Sequence, residues 1–253
     1  MFTPVVPSSP TPKPVSEVWH PDLTRLPVLT RGRRLFRRFF QLFCRVVIFV
    51  CTKTTILGLE NYPPRGPALV VMNHLGDPDT VLVMAALPDF PEIIGKIESR
   101  DIPVLGLVAD MLGVIWIHRG QPDRRAISAA LEAFRQGRRM IIAPEGRESV
   151  SGALEVGTDG AAFLALKAGV PVVPVTITGS EFRLIEKALK RLRRAPVTLR
   201  VGKPFVLPQP ALNRVEGPAR DRDASEEGTR LIMEALACQL PPAYRGVYAY
   251  VKD

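Results

Sequence analysis

A histidine and an aspartate five residues apart form the segment of this sequence that is best suited to acid–base chemistry. The run from Val70 to Asp79 is typical of a buried strand, a tight turn and a helix start. Pro78 suits the first position of that helix, and Asp77 suits the N-cap before it. His74 then lies on the turn, where the Asp79 carboxylate can accept a hydrogen bond from one imidazole nitrogen. The other nitrogen is left to act as a base.

Three cations are placed where predicted strands end. Arg119 and Arg147 follow two such strands, and Lys96 ends a third. A planar guanidinium binds a phosphate through two parallel hydrogen bonds, whereas a lysine supplies a point charge. Each is a candidate for binding an anionic substrate in the crevice of His74, and a salt bridge or a solvated side chain is the alternative. Glu145 could orient an arginine or accept a hydrogen bond from a substrate hydroxyl.

From residue 54 onwards, apolar runs alternate with helix-like segments, which predicts an α/β fold with a mixed β-sheet covered by helices. The predicted strands are Ala68–Met72, Glu92–Lys96, Val114–His118, Met140–Ala143, Val172–Ile177 and Val197–Val201. The predicted helices are Asp79–Leu87, Val104–Met111, Asp123–Gln136, Gly160–Ala168 and Glu181–Arg193. We assign residues 54–206 to the domain that carries the candidate site, and residues 207–253 to a connector and a C-terminal helix, Ser225–Cys238.

The N-terminal region divides into two segments. Residues 1–30 are rich in proline, which predicts a disordered tail, and they lack the pattern of a secretory signal. Residues 31–53 predict an amphipathic helix, because Phe36, Phe39, Phe40, Phe43, Val47 and Val50 recur at helical spacing opposite Arg34, Arg37, Arg38, Gln41 and Arg45. Its apolar part is shorter than the roughly 20 residues of a spanning helix, so we expect it to lie in the headgroup interface. Packing against the core of the domain is the alternative.

Composition narrows the class of partner. The chain has 253 residues and a net charge of +9, which attracts polyanions such as nucleic acid, anionic lipid or phosphorylated metabolites. Only 7% of the residues are aromatic, so a surface that stacks nucleic-acid bases is poorly supported and we expect no nucleic-acid partner. The three cysteines have no metal-ligand spacing, and their odd number indicates a reducing environment.

Four segments in order resemble the motifs of the glycerolipid acyltransferases, the lysophosphatidic acid and glycerol-3-phosphate acyltransferase family. Asn73-His74 with Asp79 is similar to the first motif, and Gly113 to Arg119 to the second. Pro144-Glu145-Gly146-Arg147 resembles the third motif, although the family usually has a threonine before the arginine. The run Val170 to Val175, with Pro174 inside it, resembles the fourth. The resemblance covers about residues 54–206.

This resemblance implies a direct acyl transfer at the cytoplasmic face of a membrane. His74 would deprotonate an acceptor hydroxyl as it attacks the thioester of acyl-CoA or acyl carrier protein, with Asp79 orienting the ring and no cofactor required. The acceptor implied first is a lysophospholipid, 1-acylglycerol-3-phosphate. Glycerol-3-phosphate, another lysophospholipid or a lyso-aminolipid are alternatives, because Glu148 follows the shortened third motif.

The family resemblance also implies which residues bind substrate. By their motif positions they are Asn73, Gly113, Arg119, Glu145, Gly146, Arg147 and Pro174, to which the position of Lys96 adds a further cation. Pro174 is read as a wall for the acyl chain, with a plain core strand as the alternative.

Two interpretations from other classes compete with the acyltransferase. A metal-dependent hydrolase is suggested by the proximity of His74, Asp77 and Asp79 in the sequence, but no second His or Cys group accompanies them. A non-catalytic module that binds lipid or acyl carrier protein is suggested by the altered third motif.

Overall fold

The computed structural model describes residues 13–120, 123–209 and 218–252, with no side chains given for residues 218–221. Within these residues seven strands form one sheet. They are β1 Thr52–Leu57, β2 Ala68–Met72, β3 Glu92–Lys96, β4 Ile115–Ile117, β5 Arg139–Ile142, β6 Val172–Thr178 and β7 Ala195–Val201. The α-helices are α1 Arg31–Cys51, α2 Pro78–Ala86, α3 Pro103–Leu112, α4 Arg124–Arg135, α5 Gly160–Ala168, α6 Phe182–Leu189 and α7 Pro218–Ala237.

The sheet is mixed, and its order is β1-β7-β6-β2-β5-β3-β4. Strands β6, β2, β5, β3 and β4 are parallel to one another. Strand β7 runs antiparallel to β6, and β1 pairs with β7 in parallel. The predicted α/β fold with a mixed sheet is therefore confirmed. Because the parallel strands end at the same edge, the residues that follow β2, β5, β3 and β4 are brought to one side of the molecule.

Alternate residues of the central strand β2 fill two hydrophobic cores, one on each face of the sheet. Leu69 and Val71 pack in the core that includes side chains of α4, α5 and α7. Val70 and Met72 pack in the core that includes side chains of α2 and Cys44 of α1. All five residues of β2 are buried, as expected for a strand in the interior of a parallel block. Strand β2, which leads to His74, is thus packed on both faces and paired with β5 and β6 along both edges.

Two parts of the chain differ from the sequence prediction. Strand β1 was not predicted, because Thr52–Leu57 is a short, polar segment that pairs only with β7 at the edge of the sheet. The C-terminal helix was assigned outside the domain 54–206, but it forms part of that domain's core. Ile232 and Met233 of α7 are fully buried in the same core as Leu69. The central part of the predicted connector, 210–217, lies outside the described residues.

The described part of the predicted disordered tail, residues 13–30, lies against the domain. Ser16 exchanges two hydrogen bonds with the backbone of Arg119, and the backbone N–H of His20 donates to His118 Nε2 at 3.0 Å. Val18 and Leu23 pack on the small core around Trp116. The segment contains one short 3-10 helix, Pro21–Leu23, and is otherwise held by these long-range contacts. Residues 1–12 lie outside the described residues.

Helix α1 turns Arg37, Gln41 and Arg45 of its polar side towards the domain. Arg37 Nε donates to Leu112 O, Gln41 Nε2 to Leu87 O, and Arg45 Nε to Ala85 O. These oxygens lie at the carboxyl ends of α3 and α2, where main-chain acceptors lack partners within their own helix. Donors spaced four residues apart on one face of α1 therefore satisfy acceptors that the domain leaves open.

Much of the apolar side of α1 consequently faces away from the domain, while Phe40, Cys44 and Ile48 pack on the core beneath it. Its exposed members are Leu35, Phe39, Leu42, Phe43, Val46, Phe49 and Val50. Helix α3, which α1 contacts, also exposes Val104, Leu105, Leu107 and Met111. Of the helices that the structure describes, none has the length and apolar content needed to cross a bilayer.

A buried ion pair joins α1 to the sheet and predicts a large effect on stability. The Arg37 guanidinium binds the Glu92 carboxylate through two hydrogen bonds of 2.9 and 2.7 Å, and both side chains are buried. Arg37→Ala leaves the buried Glu92 carboxylate with the weaker 3.4 Å contact to Arg138 Nη1, so we expect it to lower the free energy of unfolding by about 3 kcal/mol, the lower end for a broken buried pair, in urea titrations. The matched control Arg38→Ala removes an exposed arginine from the same helix and should change it by less than about 0.5 kcal/mol. Equal losses in the two variants would contradict this role for the pair.

Candidate active site

His74 and Asp79 meet at the carboxyl end of β2. His74 Nδ1 lies 3.0 Å from Asp79 Oδ2, and the same oxygen accepts hydrogen bonds from the backbone N–H groups of Leu75 at 2.5 Å and Gly76 at 3.0 Å. Asp79 is fully buried, whereas 22% of the His74 side chain is exposed. No group in the described residues hydrogen-bonds His74 Nε2. Asp79 therefore orients the imidazole through Nδ1, and Nε2 is left available to accept a proton.

The surroundings of His74 raise its basicity. Burial acts to lower the pKa of the imidazole, but the hydrogen bond and negative charge of Asp79, with Glu148 and Glu145 nearby, outweigh burial and raise that pKa above its usual value. Asp77 occupies the N-cap position of α2 as predicted, but its side chain makes no capping hydrogen bond. The turn is held by Asp79 from inside the helix instead.

Glu145 links the loop after β5 to the histidine. Its Oε1 accepts from His74 N at 3.3 Å and its Oε2 from Glu155 N at 2.7 Å. Ser149 N also donates to His74 O at 2.7 Å, so the two loops are joined twice. Burial raises the pKa of Glu145 to about 7. The Glu145 carboxyl group binds the backbone N–H groups of His74 and Glu155, so it helps to fix the position of His74.

Arg147 is close to the site but is already engaged. Its Nε and Nη2 donate to Glu155 Oε2 at 3.0 and 2.6 Å, and only 13% of its side chain is exposed. Glu155 also accepts hydrogen bonds from the backbone of Val150 and Ser151. The sequence alone did not indicate Glu155, because its ion pair with Arg147 spans an irregular loop.

Arg119 and Lys96 lie farther along the same edge. Arg119 follows β4, three strands from β2, and its Nη2 is 3.8 Å from Glu98 Oε2. Lys96 is an exposed residue at the end of β3, between β5 and β4. Burial acts to raise the pKa of Glu98, but the Ser16 hydroxyl and the charges of Arg119 and Lys96 hold it below its usual value. The strand spacing of about 4.8 Å places Arg119 roughly 14 Å along the edge from His74.

No three His, Cys, Asp or Glu side chains in the described part of the chain are grouped so that they could hold a metal ion. The carboxylates near His74 are directed at backbone N–H groups or at Arg147. The described residues around His74 therefore do not supply the ligands that the metal-dependent hydrolase interpretation needs.

Comparison with known proteins places this geometry in a family. A profile described as acyltransferase matches residues 53–178, which contain His74, Asp79, Arg119 and Arg147. A chloroplastic 1-acyl-sn-glycerol-3-phosphate acyltransferase of Brassica napus is 34% identical over 154 residues, which are 59% of this chain and 44% of that protein. The chain belongs to the glycerolipid acyltransferase family. The resemblance to this family that the four sequence motifs indicated is confirmed.

Two further relatives of this family bear on the site and the fold. A lyso-ornithine lipid O-acyltransferase of Pseudomonas aeruginosa is 36% identical over 116 residues, which are 46% of this chain and 44% of that protein. The chain thus spans less than half the length of either of these curated relatives. The crystal structure of a 1-acyl-sn-glycerophosphate acyltransferase, PlsC, from Thermotoga maritima has a TM-score of 0.56 and 24% identity over 81% of this chain and 84% of that one. That likeness supports the same fold.

The other family-motif residues have mainly structural contacts. The Asn73 amide donates to Ile177 O and accepts from Ile177 N, so this buried side chain ties the end of β2 to β6. Gly146 has φ +74° in the turn between Glu145 and Arg147, a conformation that favours glycine. Asn73 is 2% exposed, so its contacts with Ile177 account for its place at the end of β2.

Two motif residues lie away from the turn of His74. Gly113 ends α3 with φ +76° before β4 begins, so it lies at the opposite edge of the sheet from the residues that follow β2. Pro174 is buried within β6, opposite Val71 of β2, and its carbonyl accepts from Gly202 N just beyond the end of β7. A proline is tolerated there because no donor is needed. For Pro174 the structure favours the core-strand alternative.

A second histidine–aspartate pair with the same five-residue spacing occurs at the end of β4. His118 Nδ1 lies 2.9 Å from Asp123 Oδ2, but its Nε2 accepts from His20 N, and the Trp19 ring packs on it at 4.5 Å. His118 is buried and both ring nitrogens are used. The two pairs have the same spacing, so only tertiary contacts show that His74, and not His118, keeps a ring nitrogen available.

The raised pKa of His74 predicts the pH dependence of activity. A general base acts in its neutral form, so kcat/KM should rise with pH along a limb centred above about 6.5, the usual histidine value. Asp79→Asn removes the main cause that raises the pKa, so the limb should move to lower pH while the rate falls on the order of 10²–10⁴-fold. Asp77→Asn is the matched control, because this exposed carboxylate does not contact the ring. An unchanged limb in Asp79→Asn would contradict the coupling.

Proposed function

We propose that the protein is an O-acyltransferase that moves a fatty acyl group from acyl-CoA or acyl carrier protein to a hydroxyl of a lysolipid in phospholipid biosynthesis. The observation that carries this proposal is the 3.0 Å contact between His74 Nδ1 and the buried Asp79 carboxylate. Membership of the glycerolipid acyltransferase family supports it, since relatives carry the name 1-acyl-sn-glycerol-3-phosphate acyltransferase.

The chemistry follows from that contact. His74 Nε2 takes the proton of the acceptor hydroxyl as its oxygen attacks the thioester carbonyl carbon. The tetrahedral intermediate collapses, the C–S bond breaks, and the thiolate receives the proton from the imidazolium. Asp79 stabilises the imidazolium and holds the tautomer with Nδ1–H directed at its carboxylate. The acyl group passes directly to the acceptor, so the reaction needs neither a cofactor nor a covalent enzyme intermediate.

The acceptor that we favour is 1-acylglycerol-3-phosphate. Arg119 and Lys96 lie on the crevice edge, and Arg147 would bind phosphate by exchanging its Glu155 partner for the substrate. A lyso-aminolipid is the second candidate. It is supported by exposed Glu148 beside His74, and by the relative that is named for lyso-ornithine lipid.

Substitution of the proposed base separates an enzyme from a non-catalytic lipid or carrier-binding module. His74→Ala should lower kcat on the order of 10²–10⁴-fold, because general-base assistance is lost, while lysolipid binding is retained. Thiol release from acyl-CoA in the presence of lysophosphatidic acid measures the rate. The control His20→Ala removes an exposed imidazole, whose backbone N–H alone makes the contact with His118, and should leave kcat within about twofold. Thiol release by the native protein that does not depend on His74 would argue against the proposal.

We further propose that the protein binds the cytoplasmic face of the membrane through the apolar side of α1. That side is a continuous stripe at helical spacing with exposed Arg34 and Arg38 near it, and exposed apolar residues of α3 extend it. Arg37, Gln41 and Arg45 donate hydrogen bonds to the domain from the other side of α1, so insertion of the apolar stripe into lipid would leave these hydrogen bonds intact. The arginines add attraction to anionic lipid of about 1 kcal/mol each near the surface.

Two phenylalanines on the stripe provide a test of membrane binding. Phe39 and Phe49 are 65% and 73% exposed, and a carboxylate at position 49 can pair with the Arg194 guanidinium that lies over the Phe49 ring, so the double change Phe39→Asp with Phe49→Asp should change the unfolding temperature little. Loss of two apolar anchors should weaken binding to phosphatidylglycerol vesicles more than about tenfold in sedimentation. Val206→Asp, which alters an exposed apolar residue after β7, is the control and should bind as the native protein does. Native-like binding of the double variant would contradict the proposal.

A further inference from the structure

The N-terminal segment 13–16 crosses the edge of the sheet on which the site lies. Lys13 Nζ donates to Val156 O at 3.0 Å, in the loop after β5. Ser16 N donates to Arg119 O at 2.9 Å and Ser16 Oγ accepts from Arg119 N at 2.8 Å, after β4. Strands β5 and β4 are separated only by β3, which places their ends roughly 10 Å apart. The segment therefore links the loop after β5 to the residue that follows β4 and its neighbours.

Lys13 is thereby placed among the charged groups beside His74. Val156, its hydrogen-bond acceptor, directly follows Glu155, which binds Arg147 and donates its N–H to Glu145. Partial burial and then the charge of Arg147 hold the pKa of Lys13 below its usual value, while Glu145, Glu155 and Asp159 act in the opposite direction. The ammonium group is therefore within electrostatic reach of the whole loop.

The balance of charge in this loop depends on that ammonium group. The Arg147 guanidinium is compensated by Glu155, and the carboxylates of Asp159 and exposed Glu148 add negative charge. Without Lys13, the three carboxylates Glu155, Asp159 and Glu148 are set against the Arg147 guanidinium, whereas Lys13 brings the cations to two and so reduces the repulsion of an anionic headgroup. With Lys13, a second cation is available next to Arg147.

We propose that Lys13 selects an anionic headgroup in the acceptor, an assignment that rests on the proposed lysolipid acyltransferase function. The hydrogen bond to Val156 O and the contacts of Ser16 with Arg119 place it between the loop of Arg147 and the end of β4. It lies outside residues 53–178, so the family pattern does not assign it. Its ammonium group contacts the phosphate of the lysolipid together with Arg147.

The first measurement compares two acceptors with full-length protein and acyl-CoA. Lys13→Gln should lower the ratio of kcat/KM for lysophosphatidic acid over lyso-ornithine lipid by about tenfold, because a charge-assisted contact to phosphate is lost. Lys13→Arg should retain the ratio of the native protein. The matched control is Lys203→Gln, an exposed lysine after β7 at the opposite edge of the sheet, and its ratio should stay within about twofold. An unchanged ratio, or a lower KM for lysophosphatidic acid, in Lys13→Gln overturns the assignment.

The second measurement is independent of turnover. Binding of lysophosphatidic acid in detergent micelles is measured on His74→Ala protein without acyl donor, with and without Lys13→Gln. The added change should raise Kd about tenfold, and equal Kd values overturn the role of Lys13. If Kd depends on Lys13 but the native protein transfers acyl groups to neither acceptor, the proposed enzymatic function fails while the binding role stands.

Discussion

A single carboxylate oxygen organises the candidate site. Oδ2 of Asp79 receives the imidazole Nδ1 and the backbone N–H groups of Leu75 and Gly76, so one atom closes the turn and orients the base. Its neighbour Oδ1 is buried without a hydrogen-bond partner in the described residues. An incompletely satisfied buried carboxylate costs free energy, and the surrounding packing must hold it in place. The function that we propose depends on this geometry more than on any cation nearby.

The parallel strands determine which other groups reach that turn. Because β2, β5, β3 and β4 end on one side of the molecule, the residues after each strand lie along the same side although 73 positions separate Asn73 from Gly146. Their roles differ once contacts are known. Glu145 supports the backbone of His74, and Glu155 holds Arg147. The segment from Lys13 to Ser16 then ties the outer two loops together.

The orientation of α1 follows from hydrogen-bond satisfaction. Carbonyl groups at the ends of α2 and α3 need donors, and Arg37, Gln41 and Arg45 supply them from one face. The apolar face is then left outward, as suits a membrane-binding surface. Amphipathicity alone predicted a two-sided helix but not which side would face the protein, because a polar face can meet either water or unsatisfied main-chain acceptors.

The amino-acid sequence by itself determined the α/β class, nearly all of the helices and strands, and the pairing of His74 with Asp79. These follow from local periodicity and from short-range spacing at a helix start. The tertiary structure decided which histidine–aspartate pair keeps an available nitrogen, since His20 covers His118 from 98 positions away. It also decided that Glu155 pairs with Arg147 and that residues 13–30 pack on the domain. Such contacts depend on loop paths and on chain segments distant in sequence, which local patterns do not encode.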